Sequence, residues 1–247
     1  MTLLFATNSK VRWPATDLHW LERAFCFRNT PFTTMRRLPV YLLLDTSGSM
    51  SGEPIESVKN GMQVLVSALR QDPYALETAY LSVITFDSTA RQVVPLTELS
   101  DFQMPDLRAT ATTSLGAALQ LLAETSDHEV KKSTADQKGD WRPVVFIMTD
   151  GEPTDDWRQG LAEFKKRKFG IVVACAAGMG ANTSILQEIT ESVVQLDTAD
   201  SKTISAFFKW VSASVSSSSR SVESAGKELL GGLHELPPPP AEVNVVI

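Results

Sequence analysis

The chain has 247 residues, 43% of them hydrophobic, with a formal charge of −6 at pH 7. That is enough for one ordinary domain with a real core plus extensions. The acidic balance leaves no basic footprint for nucleic acid, no apolar run approaches a membrane span, and Cys26 and Cys175 cannot make a disulfide framework.

Residues 1–37 fit poorly with the rest of the chain, because Trp13, Trp20, Phe25, Phe27 and Phe32 keep neither helical nor strand periodicity. We read them as a disordered N-terminal extension, or as the result of a start site assigned ahead of the true one at Met35. A short apolar segment that docks on a partner is the rival reading. The leader has no Ala-x-Ala site after an apolar core, so it does not read as a signal peptide. A cytoplasmic, reduced protein with a buried Cys175 is the expectation.

Val40 to Leu44 is a short apolar run that reads as a buried strand. It ends in Asp45-Thr46-Ser47-Gly48-Ser49, a carboxylate and two hydroxyls at alternate positions, with Gly48 allowing a tight turn. An all-oxygen set without His or Cys suits a hard cation such as Mg²⁺. A plain strand-to-helix turn with a capping Ser is the simpler alternative. The aspartic-protease reading needs a second carboxylate loop, which is not visible, and a DxDxT phosphotransfer loop fails because Ser47 replaces the second Asp.

Ile55, Val58, Met62, Leu65, Val66 and Leu69 predict an amphipathic helix opened by Pro54 and ended at Gln71-Asp72-Pro73. Tyr80–Phe86 and Arg91–Val94 predict a hairpin turning at Asp87-Ser88-Thr89. After a polar loop ending in Thr112-Thr113-Ser114, Leu115, Ala118, Leu119 and Leu122 keep helical spacing. Lys131 to Asp140 reads as a surface loop. Pro143–Met148 is a fourth strand, again ending in a carboxylate turn, Thr149-Asp150-Gly151.

Trp157, Leu161 and Phe164 mark a helix closed by Lys165-Lys166-Arg167-Lys168, a run that complements the helix dipole rather than a phosphate. A strand at Ile171–Ala176, a short helix around Ile185 and Ile189, a strand at Val193–Leu196 and a helix from Ile204 to Val211 complete the pattern. Alternation of this kind predicts an α/β fold with a mostly parallel sheet, helices on both faces, and the hairpin as one antiparallel edge. Residues 218–247 read as a Ser/Pro-rich tail. Its end, Val243–Ile247, is β-prone and suited to adding to a sheet edge in this protein or a partner, but the low-complexity and polyproline stretches favour a fluctuating tail.

Ligands bind beyond the carboxyl ends of strands in such sheets. Asp45-x-Ser47-x-Ser49, a Thr ahead of Leu115-Gly116-Ala117-Ala118-Leu119, and Thr149-Asp150-Gly151 together resemble the metal-ion-dependent adhesion site (MIDAS) of von Willebrand factor type A (VWA) domains. The resemblance spans residues 38–217 and implies the Rossmann-like VWA fold, with Asp45, Ser47, Ser49, Thr113 and Asp150 as metal positions. Thr113 keeps the usual offset to the next helix. Thr112 is adjacent, and many bacterial relatives have Gly-Gly-Thr where this chain has Ala111-Thr112-Thr113.

Within the family, LPVYLLLDTSGSMSGEPI, YLSVITFD and FIMTDGEPTD are most similar to the TerY-like proteins of bacterial tellurium-resistance clusters. That similarity implies an adaptor for stress response, binding Mg²⁺ (with Mn²⁺ or Ca²⁺ as alternatives) and a partner Asp or Glu. A kinase or phosphatase encoded nearby is the implied partner, with no nucleic acid or membrane involved. An enzyme, hydrolysing or transferring phosphoryl groups with the metal, is the competing reading. It would need a general base or phosphate cradle that the sequence does not display. A non-enzymatic binding module is therefore the expectation.

Overall fold

The computed structural model describes residues 36–226, 228–229 and 232–246. The leader, with Cys26, His19 and the proposed start at Met35, lies outside the described residues. Arg36 and Arg37, assigned to the extension on sequence grounds, already belong to the domain. The Arg36 guanidinium stacks 3.5 Å from the centre of the Trp141 ring.

The chain alternates strands and helices: β1 Leu38–Asp45, α1 Glu53–Gln71, α2 Pro73–Thr78, β2 Ala79–Phe86, β3 Ala90–Glu98, α3 Leu115–Glu129, β4 Val144–Thr149, α4 Trp157–Lys165, β5 Val172–Ala177, α5 Thr183–Ile189, β6 Val193–Leu196, α6 Ser201–Ala225 and β7 Asn244–Val246. Among the described residues these strands form one sheet in the order β3-β2-β1-β4-β5-β6-β7. β1 is parallel to both β2 and β4, with Leu44 opposite Thr85 on one side and Met148 on the other. The expected hairpin edge, β3, pairs antiparallel with β2.

β1 is buried along its whole length, which is why it reads as a continuous apolar run rather than an alternating one. Its side chains still alternate between faces. Val40, Leu42 and Leu44 pack with Val58, Met62 and Leu65 of α1 and Phe207 and Phe208 of α6. Tyr41 and Leu43 pack with Leu115, Leu119 and Leu122 of α3 and Leu161 and Phe164 of α4. Truncating one of these leucines to Ala would cost about 2–5 kcal/mol.

Two features depart from the expected pattern. Asp72-Pro73 ends α1 but also starts α2: the Asp72 carboxylate accepts from the Tyr74 and Ala75 amides, and Pro73 takes the first helical turn.

The second concerns residues 218–247, which composition assigns to a separate tail. The structure corrects that boundary. α6 continues to Ala225 and ends on Gly226 in a left-handed conformation. Trp210 Nε1 donates to the Pro237 carbonyl at 2.8 Å, Leu229, Leu236 and Val243 are buried, and β7 pairs antiparallel with β6, Val245 opposite Val194. Composition alone misjudged this segment because its few apolar residues find a ready surface on α6 and on the otherwise unpaired edge of β6. The sheet therefore has a second antiparallel edge.

Candidate metal centre

Strand order places the site. The chain leaves β1 for β2 on one side and later returns to β4 on the other, so the crevice beyond β1 and β4 is the switch point of the sheet. Asp45 ends β1, and Asp150 follows β4 directly.

Asp45 is fully buried. One carboxylate oxygen accepts from the Ser47 amide at 2.8 Å, and the other accepts from the Thr149 hydroxyl at 2.5 Å. Burial pushes this carboxyl above its ordinary range. Hydrogen bonds from Ser47 and Thr149 pull the other way, and the nearby Asp150 charge adds to the rise.

Ser47 opens a single 3₁₀ turn, Gly48–Met50, that brings its hydroxyl to 3.0 Å from that of Ser49. Ser49 donates to Asp150 Oδ1 at 2.7 Å. Asp150 is itself pushed upward by burial, against the Ser49 bond. Asp45 and Ser47 are buried while Ser49 is exposed, so the cluster runs from the core to the surface.

The Thr113 loop closes the cluster. A methyl group placed on Gly151 would sit 3.8 Å from Thr113 Oγ1 and 3.9 Å from Ser49 Oγ, so both hydroxyls lie near one point above the Asp150 turn. Thr113 is buried, whereas Thr112 is exposed. The structure thus brings Asp45, Ser47, Ser49, Thr113 and Asp150 to one crevice, with Thr113 the buried member of the Thr112-Thr113 pair.

Residues that the sequence reading did not single out hold this arrangement. The Gly48 amide donates to the Ala111 carbonyl at 2.9 Å, and the Thr110 amide donates to the Thr46 carbonyl at 2.8 Å, lacing the two loops together. Ala111 adopts a φ of 58° in this arrangement, a left-handed conformation that costs a non-glycine residue about 1 kcal/mol or more. Thr154 brackets Thr113: its amide and hydroxyl donate to the Thr113 carbonyl, at 2.8 and 3.1 Å. The Asp155 carboxylate accepts from the Gly116 and Ala117 amides, at 3.1 and 2.9 Å, and so caps α3 from the loop after β4.

α3 and α4 also cross with Gly160 against Gly116, where an added Cβ would lie 2.0 Å from the Gly116 carbonyl oxygen. The Thr113 and Asp150 loops are therefore tied together by hydrogen bonds and by close backbone packing of the helices that follow them. Thr149, Thr154 and Asp155 were visible as polar residues beside the Asp150 turn, but only the fold shows which backbone they meet.

The donor chemistry suits a hard divalent cation: three hydroxyls and two carboxylates, all oxygen. Among the described residues no three His, Cys, Asp or Glu side chains cluster in a way that could hold a metal. A cation here would thus depend on neutral hydroxyls as much as on carboxylates.

A family model for the von Willebrand factor type A domain matches residues 40–209. An uncharacterised protein of Synechocystis sp. is 32% identical over 124 residues, which is 47% of this chain and 26% of that protein. Among solved structures, a von Willebrand factor type A protein from Catenulispora acidiphila aligns with a TM-score of 0.57 at 18% identity, over 74% of this chain and 43% of that one. Proximal thread matrix protein 1 from the mussel byssus, solved with a zinc-occupied MIDAS motif, aligns with a TM-score of 0.51 at 21% identity, over 72% of this chain and 46% of that one. The chain thus spans about a quarter of the curated relative and under half of each solved structure. At these identities the structural likeness speaks to the fold.

Proposed function

This chain belongs to the von Willebrand factor type A family, and we propose that it is a divalent-metal-dependent adaptor whose MIDAS-type site recruits a carboxylate of a protein partner. Asp45, Ser47, Ser49, Thr113 and Asp150 would hold the ion, with Mg²⁺ as the physiological metal. The observation that carries this reading is the convergence of those five oxygen-bearing side chains on one surface-reaching crevice. When bound, the ion supplies positive charge, incompletely offset by neutral hydroxyl ligands, to which an external Asp or Glu is drawn.

Binding rather than catalysis is supported by how the nearby acids are used. Asp155 caps α3, Glu152 accepts from the Asn182 amide group at 2.9 Å, and Glu53 accepts from the Ser201 amide at 3.2 Å. These three acids, the spare carboxylates closest in sequence to the metal-binding turns, each hold a loop or a helix, which favours a structural role for them. His128 and His234 are exposed, on α3's last turn and on the 3₁₀ turn Gly232–Glu235.

The LPVYLLLDTSGSMSGEPI, YLSVITFD and FIMTDGEPTD stretches support a place in a bacterial tellurium-resistance or stress-response system, with a kinase or phosphatase as partner. A cytoplasmic location goes with that reading. No helix among the described residues is long and apolar enough to cross a membrane.

The test is affinity capture from native lysate with the wild-type chain and with Ser47→Ala/Ser49→Ala, each in Mg²⁺ and in chelator. A partner retained only by wild type with Mg²⁺ is expected. Partners indifferent to both chelator and substitution would refute the metal bridge.

A further inference from the structure

The metal crevice is polar, yet a loop that carries a large, exposed apolar side chain packs against its Asp150 turn. Met179 is 80% exposed, against 45% for Val245, the next most exposed large hydrophobic residue among those described. Single exposed apolar residues are common. Met179 differs in being carried by a loop that is fastened to the metal-binding turn.

That loop follows β5, and each of its attachments is visible. Gly178, at φ 85°, donates its amide to the Leu196 carbonyl at 2.9 Å. Gly180 packs so closely on the Asp150 turn that a Cβ there would lie 2.8 Å from the Asp150 carbonyl oxygen. Asn182 caps α5 with its oxygen and donates its amide group to Glu152, two residues past Asp150. Met179 is therefore presented by an anchored turn, and its Cα lies no more than about 8 Å from the Asp150 carbonyl. Gln195 Nε2 sits 3.6 Å from its sulfur and steadies the thioether without covering it.

An unbranched, polarizable thioether held in water next to a polar binding crevice suits contact with apolar groups of varied shape. We propose that Met179 is an apolar specificity contact for the partner, and that the partner segment carries an Asp or Glu with an aliphatic or aromatic residue one to three positions away. An extended segment advances about 3.3–3.6 Å per residue, so two or three residues cover the distance between the Asp150 carbonyl and the Met179 backbone. This inference rests on the metal-bridge reading.

The test is selection from a library of random heptapeptides with a fixed central Asp or Glu. The library is passed over the full chain immobilised in Mg²⁺ and eluted with chelator. Wild type, Met179→Ser and Ser47→Ala are run in parallel after thermal unfolding shows each to be folded. Wild type is expected to enrich Leu, Met, Phe or Tyr within three positions of the acid. Met179→Ser should lose that enrichment, keep the acid, and bind the best wild-type peptide about tenfold more weakly.

Chelator-eluted peptides without apolar enrichment, or the same enrichment on Met179→Ser, would overturn the role of Met179 and leave the metal bridge standing. If the chelator releases no peptide from wild type, or releases as much from Ser47→Ala, the metal bridge fails and this inference fails with it.

Discussion

The two ends of β1 handle charge in opposite ways. Near its start, Arg37 pairs with Asp140 at 2.5 Å, with the two side chains 17% and 3% exposed. Arg37 also donates to the Glu129 carbonyl at 2.7 Å. The Glu129 carboxylate accepts from the Tyr41 hydroxyl at 3.0 Å, from Gln92 Nε2 at 2.9 and 3.0 Å, and from the Leu96 amide at 3.1 Å. Burial, helped by Glu129, drives the Tyr41 phenol far above its ordinary range, so it stays a proton donor. The Asp140 bond raises Arg37 above its already high value.

At the far end Asp45 and Asp150 face, among the described residues, no guanidinium of the kind that pairs with Asp140; like Glu129 they accept from hydroxyls and amides, and burial pushes both carboxyls upward. Charge that is already neutralised locks elements together, whereas charge left without a cation creates a demand for one.

The largest effect expected from breaking this contrast is at the neutralised end. Arg37→Ala leaves Asp140 buried without its guanidinium and should cost about 3–5 kcal/mol in denaturant unfolding. Mg²⁺ affinity, measured by calorimetry, should stay unchanged. A matching loss of metal affinity would mean that the two ends are not independent.

The next effect sharpens the electrostatic half of the comparison. Asp45 and Asp150 have raised folded pKa values, so each contributes stability that is fully present below the ordinary carboxylate value of about 3.9 and lost as pH rises through the folded value. In chelator the site should therefore cost stability between that acid range and neutrality. Mg²⁺ binds the ionised forms, so its stabilising increment should grow with pH and reach about 2.7 kcal/mol at a hundredfold excess over Kd near pH 7. Thermal unfolding with and without Mg²⁺ from pH 4.5 to 7.5 measures it. An increment flat across that range would mean that these carboxyls do not face the ion.

Asp72 carries the opposite sign. Burial raises it, but the Arg220 guanidinium, the Ala75 amide and the Ser216 hydroxyl together hold it below the ordinary value. Its contribution is present above about pH 3.9 and fades as pH falls through the lower folded value, in chelator and in Mg²⁺ alike.

The smallest expected effect is at Ala111. Ala111→Gly should relieve the left-handed strain and raise stability by up to about 1 kcal/mol, less what glycine adds to unfolded-chain entropy. Mg²⁺ affinity should rise or stay level, read by the same calorimetry. A drop would indicate that the methyl group supports the Thr113 loop.

Much of the fold was legible because its signals are local. Val40–Leu44, Tyr80–Phe86 and Pro143–Met148 are apolar, short and bounded by turn residues, and the helices between them keep 3.6-residue spacing. Asp45, Ser47 and Ser49 could be singled out because three oxygen-bearing side chains lie within five residues of a strand end. Asp150 could be singled out because its strand ends the same way. Thr112 and Thr113 are chemically identical neighbours. What separates them in the fold is that Thr154 holds the Thr113 carbonyl and that Thr113 is buried while Thr112 is exposed.

Pattern within a few residues thus determined the elements, their alternation and the oxygen-rich strand ends, because periodicity and turn chemistry act over one or two turns of chain. Tertiary structure alone decided which neighbours those ends acquired. Thr149 reaches Asp45 across 104 residues, Asp155 caps a helix that starts 40 residues earlier, and Asn244–Val246 finds the edge of β6 instead of water. Each of those choices is a hydrogen bond or a buried edge between segments far apart in sequence. A chain read along its length carries no record of that distance, so only folding could settle it.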